Sequence, residues 1–594
     1  MTKKGGDSMK KVYSLVAVGA AATLVLSACS SSDNSSGKTE VTETSDRPIS
    51  FTVAQDEFDG YNTFKASTYS TWNTAITDRM MPGFGWFDTE GVWQHGTDLG
   101  DYEEISEDPL TIKYTISDDA VYQGGTPITC EDFYMDWVAQ NPEWIRDGLE
   151  ESGSDSASLF DHVSGPETYA NAVPEGPQCE AGDKEFTIEY NAPNPDWELV
   201  VTGVLPSHVI ADKLDMTKEE LFQAFKDEDF DVAQEAAEAW NGWTSEAGEV
   251  PSPDEAPSWG PYTLKEGGWK AGEYVTLEPN PDWWGEPAGT TELVVKQISP
   301  EAMLQALNNE DVNVIEPQAT QDTLDQLEAM DGVVTSEGST LIWEHLDMNQ
   351  GGSSIFAEDE GGLALREAFA YCVPRQDIVD KLIKPLNPDA EVMNAREYFP
   401  TDEDYADVVE ASYDGRYDEV DIDKAKEKVE ESGIDNPTIR IGYSGPNQRR
   451  TDQVSLIQAS CADAGITIED VGSAEFMADG GNWSNGDFDV ALFAWSGSGQ
   501  IVSGQNIYAS NGNQNMLSYA NDTVDEEWQK VNQSLDPEVW LSSKKIIEKE
   551  LWDDLYGIPL FAHPGIIAYT DGLQNVEQTV VQTGVSWNAE QWTW

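Results

Sequence analysis

Positive charge is scarce in this chain. Only 33 of its 594 residues are Lys or Arg, against 111 Asp and Glu, for a formal net charge of −78. That excess repels nucleic-acid phosphates and an anionic membrane face, so neither is expected as a partner. Histidine and cysteine are rarer still, at five each. His95, His162, His208, His345 and His563 are too far apart for a helical metal pair, and no Cys-x-x-Cys occurs. No metal site and no cofactor is therefore expected. No Gly-x-Ser-x-Gly elbow occurs either, since Gly442-Tyr443-Ser444-Gly445-Pro446 fails at its last position. Gly37-Lys38-Thr39 copies the end of a phosphate-binding loop, but Ser32 stands where the upstream glycine belongs and no strand precedes it. The acidic run from Asp402 to Asp423 lacks the spaced loop of a calcium site and reads as solvated surface. Carboxylate pairs of the kind that hydrolyse glycosides are too numerous here for any one to stand out. No repeat of 20 to 50 residues is visible, and past the leader no run of eighteen apolar residues exists to span a membrane.

What is present is enough to fold. The chain is 39% apolar and 10% aromatic, which argues against global disorder. Its length accommodates three or four domains at ~150 residues each. Lys3, Lys4, Lys10 and Lys11 precede an apolar stretch from Val12 to Leu26, and Leu26-Ser27-Ala28-Cys29 follows. This is the pattern of a secretory signal over residues 1–28, with Met9 the more natural start. Its end resembles the bacterial lipobox, which implies that Cys29 is lipidated and becomes the first residue. The alternative, an uncleaved anchor, needs a longer and more apolar stretch. Residues 29–46 then hold the lipidated Cys and a Ser/Thr/Asp-rich tether that reaches roughly 20 Å as a flexible coil. The expected location is the cell membrane, lipid-anchored on the extracytoplasmic face, with the lipid as the only membrane contact.

Four cysteines remain beyond the leader, in a compartment that permits disulfides. They allow three connectivities. Leu365, Ala368, Phe369 and Cys372 share one helical face, and Cys461 follows Val454 and Ile457 at helical spacing. Pairs Cys130–Cys179 and Cys372–Cys461 are favoured, with buried reduced thiols as the alternative. Ile112, Tyr114 and Ile116 alternate with polar residues, as do Phe186, Ile188 and Tyr190, and both read as half-buried strands. Thr438–Tyr443 reads as a strand, Gln453–Cys461 as a helix and Phe488–Trp495 as a buried strand. That order suggests a parallel sheet with crossover helices. Asp423–Gly433 reads as a helix with an Asp start and a Gly stop.

A set of ordered blocks then carries a resemblance. Asp118-Asp119-Ala120-Val121-Tyr122-Gln123-Gly124-Gly125-Thr126-Pro127-Ile128-Thr129-Cys130-Glu131-Asp132 comes first. Gly260-Pro261-Tyr262 and Asn280-Pro281-Asp282-Trp283-Trp284-Gly285 follow, and then Leu346-Asp347-Met348-Asn349. Leu365-Arg366-Glu367-Ala368 leads to Val373-Pro374-Arg375, with Pro374 in place of an expected Asp. Gly486-Asp487-Phe488-Asp489, Tyr519-Ala520-Asn521-Asp522-Thr523-Val524-Asp525 and Gly557-Ile558-Pro559-Leu560 complete the set. Together they resemble the peptide- and nickel-type solute-binding proteins of ABC importers, solute-binding family 5. The resemblance implies an α/β fold of the type II (cluster C) periplasmic-binding-protein class, with two main lobes around a hinge and an inserted third. The expected boundaries are 47–77, 206–344 and 557–594 for a discontinuous first lobe, 78–205 for the inserted second lobe and 345–556 for the third.

The same resemblance implies a monomeric, non-enzymatic receptor. It captures an oligopeptide between its lobes and delivers it to ABC permease subunits with their ATPases. In such proteins a Trp-bearing strand end meets the ligand, which places Trp495, Ser496 and Ser498 in the site. Ser498 stands where peptide binders often carry an Asp for the ligand's amino group, and Leu492 replaces an Arg. Glu57 is a candidate for a cationic amino end, and Trp343 and Asn349 near the hinge are further candidates. Two other readings stay open. One is an oligosaccharide or glycolipid receptor on the same fold, suggested by 21 Trp. The other is a lipid-anchored secreted hydrolase, for which no nucleophile motif is found.

Overall fold

The computed structural model describes residues 41, 43–52, 58, 60–65, 68–141, 159–163, 169–201, 204–243, 248–357, 361–478, 480–497, 499–512 and 514–594. The expectations for the leader, Cys29, Glu57 and Ser498 fall outside these residues.

Strands are β1 Ile49–Thr52, β2 Gly85–Phe87, β3 Trp93–His95, β4 Gly100–Glu107, β5 Leu110–Ile116 and β6 Glu185–Glu189. They continue as β7 Tyr262–Lys270, β8 Tyr274–Pro279, β9 Leu293–Lys296, β10 Val314–Ile315 and β11 Val333–Met348. The last are β12 Thr438–Gly442, β13 Thr467–Asp470, β14 Val490–Ser496 and β15 Gly557–Thr570. Ten of the described strands make one sheet in the order β13-β12-β14-β11-β15-β10-β1-β9-β8-β7. β2 and β3 form a separate hairpin, and β4-β5-β6 a separate antiparallel sheet. β5 buries Leu110, Ile112, Tyr114 and Ile116 and leaves the residues between them less covered, the alternation of a sheet with one packed face.

β12 pairs in parallel with both β13 and β14, as the sequence order suggested. β11 differs, running antiparallel to β14. The helix before β13 spans Gln448–Ala462 rather than starting at Gln453, because Asn447 caps it by accepting from the Arg450 amide at 3.1 Å. The acidic helix is Ile422–Ser432, capped by Asp421 and stopped by Gly433 at φ 75°.

β11 and β15 pair with each other along most of their length and join the two halves of the large sheet. One part of β15 pairs with β10, while the later part of β11 pairs with β14. Between them the register runs from Val333↔Thr570 to Ser339↔Pro564, breaks, and resumes at Trp343↔Ala562. Pro564 has no N–H to donate, which accounts for a broken ladder at this point.

The sequence blocks behind the resemblance meet at structural joints. Asn280 Nδ2 donates to the Gly260 carbonyl at 3.0 Å, and the Gly124 amide donates to Asp282 Oδ2 at 2.9 Å. Gly124 and Gly125 take φ of 94° and 85°, where a side chain is strained. Asp489 accepts from the amides of Ile355 and Arg440 at 3.0 and 2.8 Å and holds the Arg440 guanidinium as well. Arg375 is buried and donates to the Pro559 carbonyl at 3.1 Å.

Disulfides join Cys130 to Cys179 and Cys372 to Cys461, closing separations of 49 and 89 residues. Cys372 and Cys461 lie on two packed helices in one buried cluster. Loops of this size give about 4 kcal/mol each in the chain-entropy model. The chain lacking Cys29 should therefore show no free thiol after denaturation without reductant. Detection of four reactive thiols would contradict the pairing.

Candidate functional site

The parallel strands β12 and β13 end close together at Gly442 and Asp470, while β14 runs on past Ala491, the partner of Gly442, to Ser496. Open α/β sheets bind ligands outside such carboxyl ends. β14 is buried from Val490 to Phe493, half-buried at Ala494 and Trp495, and exposed at Ser496. The strand thus leaves the core at the position singled out by sequence.

Trp495 lies opposite Trp343 across the β11–β14 pair. Both rings join a small cluster with Met393, Phe399, Leu341 and Ala562. Trp343 is 4% exposed, whereas Trp495 is half-buried. Beneath them His345 is fully buried, 4.4 Å from the Trp343 ring, 4.3 Å from Phe493 and stacked at 6.2 Å on Trp495. His345 Nδ1 lies 2.9 Å from Asp347 Oδ1. The indole Nε1 of Trp495 is buried without a partner among the described residues.

Successive strand residues face opposite sides, so Glu344 stands on the other face of the same strand. It is fully buried. Its Oε1 accepts from Arg450 Nε at 2.9 Å and Gln453 Nε2 at 3.2 Å, and its Oε2 accepts from His563 Nε2 at 2.8 Å. Burial alone would raise the Glu344 pKa. The His563 bond and the charges of His563, Arg450 and Arg449 outweigh it and hold the carboxyl well below its usual range. Burial, with Arg449 beside it, pushes His563 down to about 4, so the ring is neutral at neutral pH. Its Nε2 then carries the proton donated to Glu344, leaving Nδ1, 3.3 Å from Arg449 Nη2, as an acceptor. Burial also lowers the Arg449 pKa. Arg449 Nε and Gln453 Oε1 have no partner among the described residues.

Asn349 is not brought to this edge. It is buried, its Nδ2 donates to the Phe488 carbonyl at 3.1 Å and its Oδ1 accepts from the Gly351 amide at 3.0 Å. Both ends of its amide close a turn beyond the far end of β11. Sequence reasoning missed Glu344, Arg449, Arg450, Gln453 and His563. A signal existed: Arg449-Arg450 is the one Arg-Arg pair in a chain poor in cations, placed just after a strand. Among the described residues no group of three or more His, Cys, Asp or Glu is arranged to hold a metal ion. No described helix is long and apolar enough to cross a membrane.

The model of the family described as bacterial extracellular solute-binding proteins, family 5, matches residues 91–516. An uncharacterised lipoprotein of Mycobacterium tuberculosis is 28% identical over 564 residues, covering 90% of both chains. The oligopeptide-binding protein OppA of Mycobacterium tuberculosis is 25% identical over 486 residues, 79% of this chain and 72% of that one. Among solved structures, the periplasmic EDTA-binding protein EppA superimposes with a TM-score of 0.78 at 22% identity, covering 93% of this chain and 97% of that one. The Bacillus subtilis oligopeptide-binding protein AppA, in complex with a nonapeptide, gives a TM-score of 0.67 at 16% identity, covering 93% and 99%.

Proposed function

Because the chain belongs to family 5 of the bacterial extracellular solute-binding proteins, with their type II periplasmic-binding-protein fold, we propose that it captures an oligopeptide at the carboxyl edge of β12–β14 and hands it to an ABC permease. In this reading the half of the sheet holding β1 and β7–β10 belongs to a first lobe, and the half holding β12–β14 to a third. β4–β6 belong to an inserted second lobe, and the register break in β11 and β15 is the hinge.

The carrying observation is Trp495 at the end of β14: its ring is half-buried and its Nε1 is buried without a partner among the described residues. A buried polar atom without a partner costs about 1–3 kcal/mol. An extended peptide offers a backbone carbonyl to that N–H. Trp495 adds apolar area that tolerates varied side chains.

A calorimetric panel tests this reading: a mixed-sequence pentapeptide library, oligosaccharides, EDTA and Ni(L-His), the last two because fold neighbours were solved with or named for them. Saturable binding by the peptides supports the proposal. Binding by glycans or chelates alone overturns the peptide assignment, and turnover of any panel member overturns the receptor reading.

We place the mature protein on the extracytoplasmic face through lipid on Cys29, in line with relatives named as lipoproteins. Cys29→Ala is expected to release the protein from the membrane fraction or leave an unprocessed precursor. A variant processed and membrane-bound as before would contradict the anchor.

A further inference from the structure

The segment that follows β14 is held from outside its own core. Trp495 and Ser496 lead into Gly497, whose amide donates to the Leu341 carbonyl at 2.6 Å. Gly499 has φ 72° and sits so close to Phe87 and the Gly91 carbonyl that a Cβ would lie 2.7 and 3.0 Å from them. Next, the amides of Ile501 and Val502 donate to the two oxygens of one carboxylate, Asp196, at 2.7 and 2.9 Å. Their side chains pack on the cluster around Phe493, Trp528 and Leu551.

Asp196 lies beside a different core cluster. It precedes the short 3-10 turn Trp197–Leu199, and Trp197 packs on the cluster that contains β4–β6. Asn194 Oδ1 accepts from the Asp196 amide at 3.0 Å and orients the turn. The two clusters are thus joined here by a two-point, charge-assisted polar contact. Contacts of this polar kind between separate cores are the ones that open and close. Burial raises the Asp196 pKa while the two amides and the nearby Lys544 lower it. Lys544 is itself 3.5 Å from Glu397.

We propose that Asp196 is a positioning residue for the ligand site: its carboxylate clasps the amides of Ile501 and Val502, holds the segment after β14, and so fixes the strand end that carries Trp495. It touches no ligand. The inference rests on the reading of that strand end as the site, but its first readout needs no ligand.

The experiment is hydrogen exchange on the unliganded full chain and on Asp196→Ala and Asp196→Asn. Asn retains one acceptor and loses the charge, so it guards against an Ala variant that fails to fold. Exchange over 494–504 is expected to quicken about tenfold or more in Ala and less in Asn, with β5 and β6 unchanged as an internal control. Unchanged exchange over 494–504 in both variants, or equal acceleration in β5 and β6, overturns the clasp. With the pentapeptide library as probe, the dissociation rate is expected to rise about tenfold while the association rate holds. Faster exchange with an unchanged dissociation rate overturns the positioning role. Failure of the wild-type chain to bind the library counts against the proposed function and leaves the exchange result to decide the clasp.

Discussion

Trp495→Ala is expected to weaken peptide binding by at least ~2 kcal/mol, about thirtyfold, as for an aromatic anchor in a desolvated site. The half-buried ring and its Nε1, without a partner among the described residues, are the reason. Trp495 also stacks on His345 and meets Phe493 at 5.1 Å, so some unliganded stability will be lost. Trp343→Ala provides the contrast. That ring is 4% exposed within a packed cluster, and truncating a buried Trp costs about 3–5 kcal/mol. Melting of the unliganded variants separates the two positions: Trp343→Ala should fall much further. A large drop in melting temperature for Trp495→Ala with unchanged affinity would make it a core plug and move the ligand elsewhere.

The second large effect is on stability against pH. His563 is neutral when folded down to about 4, whereas an unfolded His titrates near 6.5 by about one proton. Between those values the unfolded chain binds more protons, so this group's contribution falls as pH drops. It is complete above about pH 6.5 and lost by about pH 4, amounting to up to about 3 kcal/mol. Glu344 adds a separate, lower window. Its folded pKa is depressed, so its contribution is present above the unfolded value of about 4.3 and is lost as pH falls through the folded one. The acidic surface acts with the opposite sign, because protonating it relieves self-repulsion. The measurement is therefore a difference: denaturant unfolding of wild type minus His563→Gln from pH 7.5 to 4. The difference should shrink across pH 6.5 to 4. A flat difference would mean that His563 is not held neutral beside Arg449.

The fold was legible because the blocks that carry the family resemblance are its joints. Asn280 bonds to Gly260 and Gly124 to Asp282, and Asp489 ties Ile355 to Arg440. Such residues answer to backbone geometry, which leaves a mark in local sequence. The alternation in β5 and the apolar run of β14 are visible for the same reason. The candidate site was legible only in part. Trp495 showed because a large aromatic followed by glycines marks a strand end. Glu344, Arg449 and His563 did not, because they meet only through the pairing of β11 with β15 and the docking of Gln448–Ala462 over them. Asn349 sits in a recognisable block, and its side-chain amide closes a turn away from the Trp495 strand end.

The central claim is that a peptide binds at the carboxyl edge of β12–β14. The most direct measurement is the change in hydrogen exchange of the wild-type chain on saturation with the pentapeptide library. Slower exchange over 339–345, 447–453 and 494–497 is the expected result. No change in those segments, or protection confined to a distant surface such as the groove lined by Gly415, Arg416 and Lys424, would contradict it.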